Sequence, residues 1–271
     1  MAVLEIPGVA LNFEVDGPDD ATAILLIHAG VANLRMWDPL VPALSTDHRV
    51  IRHDTRNFGL TGVGTGEYTD FGDAIALLDH LRVDTATIVG SSRGGGIGID
   101  LAVAHPDRVA GLVTIGSAPG GHPGVAMTPH EDALFGRIDA LEKLGEWEAA
   151  IRLEAEVWNA GPERPAAEVD PATLARFYEL ALANLPHAGR QRPPGRLDPP
   201  AFGRLSAIAV PVLATVGDLD VSDVIVTTQS LRDLVPGAES HTFTGTAHLP
   251  SVEQPEEFAR VLREWLRRHN L

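Results

Sequence analysis

A serine bracketed by glycines constrains this chain more than any other feature of its sequence. In the run IVGSSRGGG at residues 88–96, Ser92 has glycine two residues before it and two residues after it. An apolar strand pattern at 85–89 precedes the turn and a helical pattern follows it, which predicts a tight strand–turn–helix connection. Such a turn strains the central residue and crowds its second neighbours, where glycine fits best. Ser91 lacks glycine at both of those positions, so Ser92 is the candidate nucleophile.

Two later strand patterns end in residues that suit a serine nucleophile. The apolar run 209–216 leads into the turn 217–220, which holds two aspartates, and the run 240–244 opens into a loop that contains His248. A serine hydroxyl is a weak nucleophile until a base takes its proton, and an imidazole oriented by a carboxylate is such a base. The order serine, aspartate, histidine, with each residue after a strand, therefore predicts a catalytic triad.

Further segments of the sequence resemble motifs of the α/β-hydrolase superfamily, and the resemblance extends over nearly the whole chain. They are the first oxyanion segment (24–30, followed by Trp37), the D-x-R-G-x-G-x-S loop (54–61), the G-x-x-D acid turn (217–220) and the G-H-x-x-x-x-E-x-P-x-x-F ending (247–258). This resemblance favours Asp220 over Asp218 as the acid. The sequence departs from the usual residues at Ala29, Asn57, Arg93 and Ala247, none of which removes a catalytic group. Within the superfamily, this combination of motifs resembles that of enol-lactonase-like and small-ester hydrolases.

The order of predicted elements indicates an α/β fold. Two strands are followed by alternating strands and helices, which is typical of a mostly parallel sheet with helices on both faces. No strand pattern is found between residue 117 and the run 209–216, and three amphipathic helices are predicted in this interval. The resemblance implies an α/β-hydrolase core, residues 1–117 and 206–271, with an inserted helical cap or lid, residues 118–205. We expect the large residues of the cap to pack within it; they are Phe135, Trp147, Trp158, Phe177 and Tyr178.

The predicted turn also supplies donors for an oxyanion hole, which stabilises the negative charge that develops on a reacting carbonyl oxygen. One donor is the backbone N–H of Arg93 at the start of the helix, where the helix dipole assists. The second is expected from Gly30, with Ala29 and Val31 as alternatives. The Arg93 side chain either binds an anionic group of the substrate or forms a structural ion pair with a nearby carboxylate.

Composition restricts the partners and the location of the protein. The chain has no cysteine, and its formal charge is −16, from 21 basic and 37 acidic residues, which argues against nucleic acid and anionic membranes as partners. The scattered histidines form no metal motif and no phosphate loop is present, so no metal and no other cofactor is predicted. The first eight residues lack the features of a signal peptide, and we expect a cytoplasmic protein. A homodimer is compatible with the sequence.

These features together predict a serine hydrolase that cleaves a carboxylic ester or lactone through an acyl-enzyme. The proposed residues are Ser92 as nucleophile, His248 as base and Asp220 as acid, with a small molecule as substrate. Two alternatives stay open. One is a triad used for non-hydrolytic chemistry, in a lyase, a cyclase or a cofactor-free oxygenase. The other is a small-molecule binding protein that turns over slowly.

Overall fold

An eight-stranded sheet forms the centre of the structure, a computed structural model that describes residues 2–271. Its strands are β1 (Ala2–Ile6), β2 (Val9–Asp16), β3 (Ala23–Ile27), β4 (Arg49–His53), β5 (Ala86–Ser91), β6 (Val109–Ile115), β7 (Val212–Gly217) and β8 (Glu239–Phe243). They lie side by side in the order β1-β2-β4-β3-β5-β6-β7-β8, with β2 antiparallel to β1 and β4 and every other neighbouring pair parallel. The predicted mostly parallel sheet is confirmed.

Helices cover both faces of this sheet. In the described residues they are α1 (Val41–Leu44), α2 (Asp70–His80), α3 (Arg93–Ala104), α4 (Pro129–Leu144), α5 (Trp147–Ala160), α6 (Pro171–Leu182), α7 (Ser222–Leu234), α8 (Pro250–Glu253) and α9 (Pro255–His269). Successive strand residues point to opposite faces, so Leu25 and Leu26 join different hydrophobic clusters. The Leu25 cluster includes residues of α2 and α3, and the Leu26 cluster includes residues of α1 and α9. Among residues 2–271, no helix has both the length and the apolarity needed to cross a membrane.

Three helices, α4, α5 and α6, lie between β6 and β7 along the chain, and we call them the cap helices. Thr128 begins α4 with a reciprocal capping box to Glu131, and Gly145 ends it in a left-handed conformation with φ of 77°. Buried residues of α5 and α6, including Ala160 and Phe177, join the same cluster as Leu26 of the sheet. The cap helices are thus packed on the core. The limits of the cap at residues 118 and 205 stay a prediction.

Candidate active site

Ser92 lies on a strained turn between β5 and α3. Its backbone has φ of 53° and ψ of −117°, and its N–H donates a hydrogen bond to the carbonyl of Ile115 at 2.7 Å. A Cβ on Gly90 would lie 2.3 Å from the carbonyl oxygen of Gly94, and a Cβ on Gly94 would lie 2.1 Å from that of Ile27. The two glycines are therefore required by close backbone contacts. Ser92 lines a cavity.

His248 lines the same cavity as Ser92 and is paired with Asp220. The Nδ1 atom of His248 lies 2.8 Å from Oδ2 and 3.0 Å from Oδ1 of Asp220, and both side chains are buried. This contact orients the ring with Nδ1–H toward the carboxylate. Asp218 is exposed and accepts a hydrogen bond from the N–H of Gly245 at 2.7 Å. The structure thus brings Asp220, and not Asp218, to the histidine.

Ser92 and His248 line the cavity together, but no hydrogen bond joins their side chains among residues 2–271. Contacts between a nucleophile and its base are often long without substrate and shorten when substrate binds. The lack of a direct hydrogen bond is therefore compatible with Ser92 as nucleophile and His248 as base.

Glu131 and Gly116 support the His248–Asp220 pair, and the sequence analysis did not identify either residue. Glu131, in α4, accepts hydrogen bonds from the N–H and the hydroxyl of Ser222, each at 2.7 Å, just after the acid. Burial opposes its ionisation, but hydrogen bonds from Ser222 and Thr128 outweigh it and lower the pKa of Glu131. Gly116 has φ of 54°, and a Cβ there would lie 3.0 Å from Asp220 Oδ2 and from His248 Nδ1. The position of Gly116 directly after a predicted strand is the sequence signal that could have identified it.

The predicted oxyanion donors are free to bind a ligand. The N–H groups of Gly30 and Arg93 have no acceptor within the described residues, and Gly30 lines the cavity beside Ser92. The N–H of Ala29, in contrast, points to the sulfur of Met36 at 3.4 Å. Of the three expected residues after His28, Gly30 and Val31 therefore keep a free donor.

His28 fixes the loop that carries Gly30. Its Nδ1 donates to the carbonyl of Ala29 at 2.8 Å, and its Nε2 accepts from the N–H of Thr55 at 3.0 Å. Complete burial lowers the pKa of His28 to about 3, so the ring is neutral near pH 7. A neutral ring with one donor and one acceptor matches both contacts.

The Arg93 side chain forms an ion pair and is not itself among the residues that line the cavity, although it packs against Phe58, which is one of them. Its Nη2 is 2.7 Å from Asp70 Oδ2, its Nη1 donates to Thr55 Oγ1 at 2.6 Å, and its guanidinium lies 4.8 Å from the centre of the Phe58 ring. Asp70 is almost completely buried. Of the two roles expected for Arg93, these contacts are those of the structural ion pair.

The cavity over Ser92 has a volume of about 310 Å³ and a roof made of cap residues. Trp147 and Trp158 line this cavity, although the helical spacing of the large residues predicts packing within the cap. Phe177, in contrast, is fully buried in the core. The Trp158 ring lies 4.4 Å from the His248 ring, centre to centre. Glu142 and Glu154 also line the cavity. The pKa of Glu154 is raised to about 7, mainly by burial and to a smaller extent by the charge of Glu142.

Comparison with known proteins is consistent with this geometry. A family profile described as the alpha/beta hydrolase fold matches residues 22–255. The chain belongs to the α/β-hydrolase family. As an α/β hydrolase, it is 31% identical to a putative carbamate hydrolase RutD of Rhizobium rhizogenes, over 95% of this chain and 98% of that protein. It is 27% identical to 3-oxoadipate enol-lactonase 2 of Acinetobacter baylyi, over 97% of this chain and 95% of that protein.

Solved structures of other α/β hydrolases superpose on the whole chain. Est816, described as an N-acyl homoserine lactone degrading enzyme, has a TM-score of 0.74 and 26% identity and covers 97% of this chain and 99% of its own. A carboxylesterase of Nitrososphaera gargenis has a TM-score of 0.78 and covers 99% of both chains, and at 23% identity it supports the fold alone. The predicted superfamily and fold are confirmed.

Proposed function

We propose that this α/β hydrolase is a serine esterase or lactonase that acts through an acyl-enzyme, with Ser92, His248 and Asp220 as its triad. The observation that carries the proposal is the position of His248, which is held by Asp220 at 2.8 Å and lines the same cavity as Ser92. The strained turn at Ser92 presents the hydroxyl to that cavity. No other described residue pair combines a nucleophile on such a turn with a base oriented by a buried carboxylate.

The triad and two backbone N–H groups carry out the steps of the proposed reaction. His248 takes the Ser92 proton as the oxygen attacks the carbonyl carbon, and Asp220 stabilises the resulting imidazolium. The backbone N–H groups of Arg93 and Gly30 donate to the developing oxyanion. His248 then gives its proton to the leaving alcohol, and a water activated by the same ring releases the acid. Both half-reactions use the same two donors and the same base.

The chain is an ester-acting hydrolase, as the named esterases and lactonases among its relatives indicate. Enol-lactonases and a lactone-degrading enzyme support an ester or lactone carbonyl as the target, and the carbamate hydrolase RutD adds carbamates as related compounds to assay. The segment 118–205 acts as the cap that determines the substrate range. We place the reaction in the cytoplasm, with a small molecule as substrate.

The direct test compares Ser92→Ala with Ser91→Ala in hydrolysis of neutral 4-nitrophenyl esters and lactones. Ser92→Ala should lower kcat by several powers of ten, because no other hydroxyl occupies the turn. Ser91 is buried and its hydroxyl has no hydrogen-bond partner in the described residues, so Ser91→Ala should retain most of the activity.

Three results would contradict the proposal. Equal activity in Ser92→Ala and the wild type would remove Ser92 from the mechanism. Conversion of substrate without the acid and alcohol as products would favour the non-hydrolytic alternatives, and a burst without sustained turnover would favour the slow binding protein. Product analysis and stopped-flow measurements separate these outcomes.

A further inference from the structure

The charged side chains that line the Ser92 cavity, apart from the catalytic His248, are two carboxylates, Glu142 of α4 and Glu154 of α5. No lysine or arginine is among the lining residues. A cavity with carboxylates and without a fixed cation has a negative potential, which attracts positive groups and repels negative ones. This is the opposite of a pocket that would bind a substrate carboxylate.

Glu154 differs from the other carboxylates of its helix. Glu148 is paired with Arg152 at 3.0 Å, and Glu156 accepts from the hydroxyl of Tyr178. Glu154 makes no hydrogen bond or ion pair within residues 2–271, although it is only partly exposed and faces the cavity. Burial, and next the charge of Glu142, raises the pKa of Glu154, and a cation bound beside it would stabilise its charged form.

Two indole rings complete the same surface. Trp147 and Trp158 line the cavity with Glu154, and Trp158 is fixed by its contacts with the His248 and Phe135 rings, at 4.4 and 5.2 Å. Trp147 packs closely against Gly189, where a Cβ would lie only 2.7 Å from the indole. Indole faces attract ammonium groups through the ring quadrupole, and a carboxylate beside them adds its charge.

The basic residue next to the nucleophile does not offset these charges. The Arg93 guanidinium is neutralised by Asp70 at 2.7 Å and covers the Phe58 ring. Its charge therefore does not create an anion site over Ser92. The cavity lining thus holds two carboxylates and two indoles, and the arginine next to Ser92 is paired with Asp70.

We propose that the substrates of this enzyme are esters or lactones that carry an alkylammonium group, held by Glu154 and Glu142 against Trp147 and Trp158. The proposal rests on the proposed function, since it names the substrate class of the same site. It assigns Glu154 as a specificity-determining residue. The acyl part or the alcohol part of the substrate can carry the cation.

Two pairs of isosteric esters test both arrangements. In the acyl pair, 4-nitrophenyl 4-(trimethylammonio)butanoate is compared with 4-nitrophenyl 5,5-dimethylhexanoate, which replaces nitrogen by carbon. In the alcohol pair, acetylcholine is compared with 3,3-dimethylbutyl acetate. We expect kcat/KM to be at least about tenfold higher for the cationic member of one pair in the wild type. The ratio should fall about tenfold in Glu154→Gln.

Glu148→Gln is the matched control, because it removes the same charge from α5 at a side chain outside the cavity lining. It should leave the ratio unchanged. If Glu154→Gln does not fold, inhibition of the wild type by tetramethylammonium chloride during hydrolysis of the neutral nitrophenyl ester gives the same answer. Competitive inhibition stronger than that by sodium chloride at equal ionic strength supports the cation site.

The outcomes separate this inference from the proposed function. Ser92-dependent hydrolysis of the neutral esters, with no preference for the cationic member of either pair, would overturn the inference and leave the function standing. A ratio that falls equally in Glu148→Gln would also overturn it, because the effect would come from overall charge. Failure to hydrolyse all four esters, and lactones as well, would instead contradict the proposed function.

Discussion

Replacement of Asp220 by asparagine tests the proposed mechanism with an expected loss of kcat that can be calculated from the structure. The carboxylate accepts from Nδ1 of His248 at 2.8 and 3.0 Å in a buried site. At 2.8 Å and an effective dielectric constant of about 20, a unit charge pair is worth roughly 6 kcal/mol, which the imidazolium of the transition state would lose. At about 1.4 kcal/mol for each tenfold change in rate, the loss is about 10⁴ in kcat. The amide would also favour the wrong tautomer, with Nδ1 unprotonated.

The assay is steady-state hydrolysis of a neutral 4-nitrophenyl ester, with Asp218→Asn as the control. Asp218 accepts only from the N–H of Gly245 in an exposed turn, and an asparagine oxygen can accept that bond. The control should therefore lose less than about tenfold in kcat. A larger loss in Asp218→Asn than in Asp220→Asn would refute the assignment. Equal melting temperatures for both variants would show that the loss is catalytic and not a loss of fold.

Two further predictions concern stability. Arg93→Met leaves the buried Asp70 carboxylate without its partner, so it should cost about 2–3 kcal/mol, measured as a melting temperature lower by several degrees, and should affect neutral and carboxylate-bearing esters equally. A selective loss on the anionic ester would instead assign Arg93 to substrate binding. The folded-state pKa of Glu154, about 7, lies above its ordinary value of 4.5, so its contribution favours folding below pH 4.5 and is lost as the pH rises through 7. Glu154→Gln should therefore raise the melting temperature at pH 8 more than at pH 5, and an equal change at both values would show that the carboxyl does not titrate in this way.

The sequence predicts the fold and the turn geometry at Ser92 well where the constraint is local. The bracket around Ser92 follows from contacts within one turn, and a Cβ on Gly90 would contact a residue only four positions away. The alternation of strand and helix patterns along the chain, together with the order of the motifs, likewise predicts the mostly parallel sheet. These signals are strong because each depends on backbone geometry that few residues can adopt.

The parts that the sequence did not predict depend on contacts between distant segments. The direction of the Arg93 side chain is determined by Asp70 and Phe58, on two other segments of the chain. The inward position of Glu154 depends on how α5 packs over the core, and amphipathic spacing alone does not distinguish a cavity from a packed interface. The helix α7 after the acid turn was also not predicted. In each case, tertiary packing decides the outcome.

The contact between Trp158 and His248 has a consequence for attempts to exchange caps between related enzymes. The N–H of His248 donates to the carbonyl of Trp158 at 3.2 Å, so the last turn of α5 is bonded to the loop that carries the proposed base. A chimera that receives the whole segment 118–205 from another family member would lose the indole beside the imidazole and would have to place a new backbone carbonyl within reach of the His248 N–H. Grafts that keep residues 155–160 and replace the rest of the segment, Glu154 included, would alter selectivity while His248 stays in position. The end of α5 is thus the natural junction for recombination in this enzyme.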